Sequence, residues 1–220
     1  MKAFKICGIQ TLEEAQMAID AGATTLGFLV GLTHKAEDKI SAEDAADIIA
    51  QLPKTIDTVM VTHLLEADKI AEIAQKLGVT VIQIHDDLDD AGIQALKTAL
   101  PHIKLMKAVH VMGEDAVAHA QHYDSMPELD ALLLDSRTHD RLGGTGLTHD
   151  WNISKAIVQA CTKPVWLAGG LGPHNVAEAV KKVRPAGVDV NSGVEDATGA
   201  KDPQKVRGFI DGAKGAVSAS

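Results

Sequence analysis

A chain of 220 residues, 45% apolar and 23% charged, is long enough for one sizeable core with a well-hydrated surface. Its 30 Asp and Glu outnumber 21 Lys and Arg, and the formal charge of −9 argues against a nucleic-acid partner or an anionic membrane surface. Two cysteines, Cys7 and Cys161, are too few for a disulfide framework. With no secretory h-region and no membrane-length apolar run, the expectation is a cytoplasmic protein.

One alternation repeats along the chain. FKIC (4–7) reads as a buried strand and TLEEAQMAIDAG as an amphipathic helix, followed by TTLGFLV (24–30) and SAEDAADIIAQL. DTVMVTH (57–63), ADKIAEIAQKLG, TVIQIH (80–85) and IKLMKAVHV (103–111) continue the pattern. ALLLD (131–135), PVWLAGG (164–170), HNVAEAVKKVR and GVDVNSG (187–193) complete it. Thr11 with Glu14, and Ser41 with Asp44, have the spacing of helix N-caps. Gly22 and Gly78 stand where a helix ends on a left-handed residue.

Eight strand–helix units at a spacing of about 27 residues have the size of βαβ units. Near-continuous apolar strands imply a parallel sheet covered on both faces, and eight units imply closure. The expected fold is a single-domain α/β protein, a (β/α)8 TIM barrel over 1–213, with 214–220 (KGAVSAS) as a flexible tail. An open doubly wound sheet usually places GxGxxG after its first strand, whereas this chain has CGIQT.

In such a barrel, reactive groups gather at the C-terminal strand ends. Those positions hold Cys7, the GLTH stretch through His34, then His63, His85, His110 and Asp135. Glycine loops follow at GGTG (143–146), AGGL (168–171) and NSGVE (191–195). Their backbone N–H groups suit a phosphate, so the pattern places proton-transfer groups on one side and an anion cradle on the other. Cys7 reads either as a packed thiol or as a base. Asp135 reads either as a carboxylate paired with Arg137 or as an acid in a cleft.

The ordered set KICGIQ, AGATTLGF, GVTVIQIH, IKLMKA, LLLDS, GGTGLTHDW, PVWLAGGL, RPAGVDVNSGVE and KDPQKVRGFI resembles the phosphoribosylanthranilate isomerase family over nearly the whole chain. The resemblance implies a cofactor-independent Amadori rearrangement in tryptophan biosynthesis. An N-linked aminoaldose 5-phosphate, here phosphoribosylanthranilate, would become a 1-amino-1-deoxyketose phosphate. It implies Cys7 as general base and Asp135 as general acid. The phosphate would fall to Gly144, Thr145, Gly146, Gly169, Gly170, Ser192 and Gly193. His34, His63, His85, His110 and Arg137 would line the substrate pocket, with no metal and no cofactor. The enzyme would act as a monomer or homodimer.

The chain departs from the family pattern on one side. AEDKIS (36–41) places Asp38 where the resemblance expects an arginine that holds a carboxylate, and KAVHV places His110 at another arginine position. VTHL adds His63, Asp86 replaces the glycine after His85, and His149 replaces a phenylalanine. All but the last lie toward the aromatic half of the substrate, which points to substrate divergence. The gathered histidines with Asp38 and Asp86 raise a metal-dependent epimerase as the alternative, although no close H-x-H pair supports it. An isomerase of another phosphosugar and a non-catalytic phosphosugar-binding barrel are the remaining alternatives.

Overall fold

The computed structural model of the chain describes residues 3–32, 39–136 and 149–218. Among them, eight parallel strands close into a barrel in chain order: β1 (Ala3–Ile6), β2 (Thr25–Leu29), β3 (Asp57–Thr62), β4 (Val81–Ile84), β5 (Lys104–His110), β6 (Ala131–Asp135), β7 (Val165–Leu167) and β8 (Gly187–Val190). The helices between them are α1 (Leu12–Ala21), α2 (Ala42–Ile49), α3 (Ala67–Leu77), α4 (Asp90–Ala99), α5 (Asp115–Asp124), α6 (Trp151–Ala160) and α7 (Val176–Val183). A 3-10 turn, Ser192–Val194, precedes α8 (Pro203–Ser218). The expected (β/α)8 architecture is the observed one. No helix among the described residues is long and apolar enough to cross a membrane.

The period-two alternation of each strand divides its side chains between two cores. Phe4, Ile6, Leu26, Phe28, Met60, Ile82, Ile84, Leu132 and Leu134 join the large cluster packed against the helices. Cys7, Leu29, Val59, Val61, Val81, Met106, Ala108, Leu133 and Ala168 form a smaller cluster inside the barrel. Both faces are buried, which is why the strands read as continuous apolar runs.

Helix starts follow the sequence. The Thr11 hydroxyl accepts the Glu14 N–H at 3.1 Å, and the Ser41 hydroxyl accepts the Asp44 N–H at 3.0 Å. Gly22 and Gly78 terminate α1 and α3 in the left-handed conformation. Three expectations shift. β7 and β8 are shorter than 164–170 and 187–193, because Gly169 and Gly170 both adopt positive φ and the chain coils at Ser192–Val194. The tail expected to begin at 214 is helical as far as Ser218, since Ala213 and Ala216 recur at helical spacing and are buried.

Closure brings the first and last loops together. The Glu14 carboxylate accepts the Gln10 N–H at 2.9 Å through Oε2 and the Lys201 N–H at 3.0 Å through Oε1. A Glu14→Gln substitution keeps the shape but offers an N–H to one of these two donors. Its urea midpoint should fall by an amount equivalent to about 1–3 kcal/mol at unchanged m-value. An unchanged midpoint would show that the latch contributes nothing.

Candidate active site

The site begins with a charge that the sequence places inside the barrel. Lys5, one pleat before Cys7, is fully buried. Its Nζ donates to Asp189 Oδ2 at 2.9 Å on the neighbouring strand β8, where Lys5 and Asp189 are register partners. It also donates to Gln83 Oε1 at 2.6 Å, from β4 on the far side of the barrel. The Cys7 sulfur is a further neighbour that favours the charged ammonium. Burial pulls the ammonium down, but the Asp189 carboxylate and the Cys7 sulfur more than offset it, so Lys5 lies above its ordinary value. The cation therefore persists, and a cation against sulfur stabilises the thiolate.

Gly27 makes room for this contact. A Cβ on Gly27 would stand 2.7 Å from Cys7 Sγ and 2.9 Å from Lys5 Cε. Cys7 itself is 6% exposed, and its N–H continues the barrel ladder by bonding the Val190 carbonyl at 2.9 Å. Lys5, Gln83, Asp189 and Gly27 were not singled out from sequence. The usable signal was a polar residue at an inward position of three otherwise apolar strands, FKIC, VIQI and GVDV.

Asp135 ends β6. Its Oδ1 accepts the Ser136 N–H at 2.8 Å, and its side chain is 14% exposed. Burial pushes the carboxyl up to about 7; Asp189 adds to the rise, while the Ser136 N–H and Lys5 oppose it. Asp135 therefore retains a transferable proton near neutral pH. Ser136 is held in turn by His149: Ser136 Oγ accepts the His149 N–H at 3.1 Å and lies 2.9 Å from His149 Nδ1. His149 Nε2 reaches Ser154 Oγ on α6 at 2.6 Å. Burial pushes His149 down to about 4, so it clamps the end of β6 as a neutral ring.

Three of the expected histidines do come together. The His63 and His85 ring centroids are 4.6 Å apart, and those of His85 and His110 are 5.0 Å apart. His63 Nδ1 pairs with Asp86 Oδ2 at 2.9 Å, and His110 Nε2 meets the His85 carbonyl at 2.9 Å. Burial, then repulsion from His63, His110, Lys107 and Lys5, holds His85 well below its ordinary value. His85 Nε2 stands 3.6 Å from Asp135 Oδ2. His85, His110 and Asp135 each offer an atom within 4.8 Å of the others.

Gly169 and Gly170 follow β7, and Ser192 and Gly193 follow β8. The two loops touch through their backbones, because a Cβ on Gly193 would lie 1.9 Å from the Leu171 carbonyl oxygen. Asn175 stitches the first loop, accepting the Gly172 N–H at 2.9 Å and donating to the Gly170 carbonyl at 3.0 Å. His34, Asp38, Arg137, Gly144, Thr145 and Gly146 lie outside the described residues. Cys161 caps α6 away from this cluster, and burial pushes its thiol up to about 11, which suits packing.

The raised Asp135 pKa has a stability consequence. Between the ordinary 3.8 and about 7 the native state holds the extra proton, so stability falls as pH rises through that window. Asp135→Asn removes the buried charge and should stabilise the protein at pH 8 by on the order of 3 kcal/mol, with a clearly smaller gain at pH 5. Urea titrations at the two pH values check this, and an equal gain at both would contradict it.

The chain is similar to known proteins over nearly its whole length. The family model described as N-(5'phosphoribosyl)anthranilate (PRA) isomerase matches residues 4–212. N-(5'-phosphoribosyl)anthranilate isomerase 2 of Methanosarcina mazei is 41% identical over 212 residues, covering 96% of this chain and 93% of its own. The crystal structure of phosphoribosyl anthranilate isomerase from Thermotoga maritima is similar with a TM-score of 0.85 and 35% identity, covering 98% of this chain and 100% of its own. A second crystal structure, of the isomerase in complex with reduced 1-(o-carboxyphenylamino)-1-deoxyribulose 5-phosphate, has a TM-score of 0.82 at 33% identity, with coverage of 98% and 100%. The chain belongs to the N-(5'-phosphoribosyl)anthranilate isomerase family.

Proposed function

We propose that this chain isomerises N-(5'-phosphoribosyl)anthranilate in tryptophan biosynthesis, with Asp135 as general acid and Cys7 as general base. The carrying observation is the pairing of a thiol held against the Lys5 ammonium with a carboxyl that stays protonated near neutral pH. One barrel mouth thus offers a proton donor and a proton acceptor whose surroundings drive them in opposite directions.

Asp135 gives its proton to the furanose ring oxygen, and the bond from C1 to that oxygen breaks with its electron pair going to oxygen. The anthranilate nitrogen supplies the electrons for a C1=N Schiff base. Cys7 thiolate removes the C2 proton, those electrons form the C1=C2 double bond, and the C1=N pair returns to nitrogen to give an enolamine. Proton return at C1 and loss of the enol proton at C2 give the ketone, so the step is an isomerisation without net redox change. The glycine loops at Gly169, Gly170, Ser192 and Gly193, with Gly144, Thr145 and Gly146, hold the phosphate through backbone N–H groups. The reading assigns His63, His85 and His110, together with His34 and Arg137 from outside the described residues, to the remainder of a small phosphosugar substrate. The reading is of a cytoplasmic enzyme, monomeric or homodimeric.

Loss of phosphoribosylanthranilate fluorescence measures the reaction directly. Cys7→Ser and Asp135→Asn should each lower kcat by about 1,000-fold. Wild-type kcat/KM should decline as pH rises through about 7, where Asp135 loses its proton, and this limb should vanish from the residual activity of Asp135→Asn. No wild-type turnover would overturn the assignment, and two variants with near-normal kcat would overturn the mechanism.

A further inference from the structure

An ammonium can only donate hydrogen bonds. Lys5 Nζ lies 2.6 Å from one end of the Gln83 amide, so that end is the oxygen. The other end is the NH2 group, and it stands 3.3 Å from His85 Nδ1. Nδ1 must then accept, and in a neutral imidazole the proton sits on Nε2. The orientation of the amide thus follows from a buried cation that Asp189 also anchors at 2.9 Å.

We infer that Gln83 is a positioning residue that locks His85 as the Nε2–H tautomer, so that His85 works beside Asp135 as an uncharged hydrogen-bond donor to one substrate oxygen. The inference rests on the isomerase reading of the site. His85 Nε2 and Asp135 Oδ2 are 3.6 Å apart, too far for a good mutual hydrogen bond and close enough for both to reach a third atom. As the bond from C1 to the ring oxygen breaks, its electron pair moves onto that oxygen ahead of complete proton transfer from Asp135, and partial negative charge develops there. The His85 N–H stabilises this charge and keeps its own proton. Burial and the surrounding positive groups keep the ring neutral, so it does not compete with Asp135 as an acid.

The same lock bears on the three clustered donors. A cation needs a lone pair on the ring nitrogen that faces it. His85 Nδ1 has its lone pair engaged by Gln83, and Nε2 carries a proton. Metal binding would require the Gln83 amide to turn its NH2 group onto the Lys5 ammonium. The cluster of His85, His110 and Asp135 is therefore built for an acceptor such as a substrate oxygen rather than for a divalent ion.

Long-range 1H–15N correlation spectra of histidine-labelled protein at pH 7.5 read the tautomer directly, with His85 assigned by loss of its signals in His85→Gln. The wild-type spectrum should show Nε2–H at His85. In Gln83→Glu, whose carboxylate can only accept, His85 should switch to Nδ1–H or become charged, and kcat should fall about 100-fold with KM within about threefold. His85→Gln, which keeps an N–H near the Nε2 position, should retain about a tenth of wild-type kcat, and His85→Leu about a hundredth or less. Nδ1–H in the wild type would overturn the lock without recourse to any variant. Wild-type kcat in Gln83→Glu, or equal losses in His85→Gln and His85→Leu, would overturn the catalytic role. If the wild type turned over no phosphoribosylanthranilate, the isomerase reading would fail with the catalytic role, and the spectrum would still decide the lock.

Discussion

The structure depends on one buried cation. Removing an ammonium from water costs several kcal/mol even after relaxation, and the cost is tolerable only where partners are fixed in place. Lys5 finds those partners on three strands: Cys7 on its own, Asp189 beside it and Gln83 across the barrel. No single helix or hairpin could supply that set. A closed sheet can, because register places Asp189 next to Lys5 while curvature brings β4 within reach. Gly27 completes the arrangement by leaving out the one Cβ that would occupy the space of the sulfur.

From this cation the electrostatics of the mouth divide. Beside Lys5 the sulfur is favoured as an anion. At the end of β6 burial outweighs the pull of Lys5 and the Ser136 N–H, and the carboxyl keeps its proton to about pH 7. Between these extremes His85 is neutral, crowded by other positive groups and tied through Gln83 to the same ammonium. A protonated carboxyl, a sulfur beside a cation and a neutral imidazole are thus three outcomes of one charge distribution, with burial setting the balance at each position.

Much of this was legible in the chain. Strand periodicity, the Thr11 and Ser41 caps and the glycine helix ends gave the architecture, because local geometry dictates each of them. Cys7, His63, His85, His110 and Asp135 stand at or just beyond strand ends, positions that the strand–helix alternation marks in the sequence. The support beneath them was not found. Lys5 meets Gln83 and Asp189 at separations of 78 and 184 residues, and a lone polar residue in an apolar strand does not announce its partner. The last helix was underestimated for a different reason. Small residues such as Ala213 and Ala216 give a weak amphipathic signal, yet they are what allows that helix to pack closely. At β7 the reverse holds, since AGG looks apolar while two left-handed glycines end the strand.

The separation between Lys5 and Asp189 also orders events as the chain is made. Lys5 leaves the ribosome 184 residues ahead of the carboxylate that allows it to be buried. Until β8 arrives, the lysine is better off hydrated, so the first strand gains little by sealing itself inside a partial barrel. The thiol meanwhile has neither its finished enclosure nor its fixed neighbours, and it stands open to the oxidants and electrophiles of its surroundings. The surroundings of the thiol are thus a property of the closed barrel, acquired only when β8 pairs with β1.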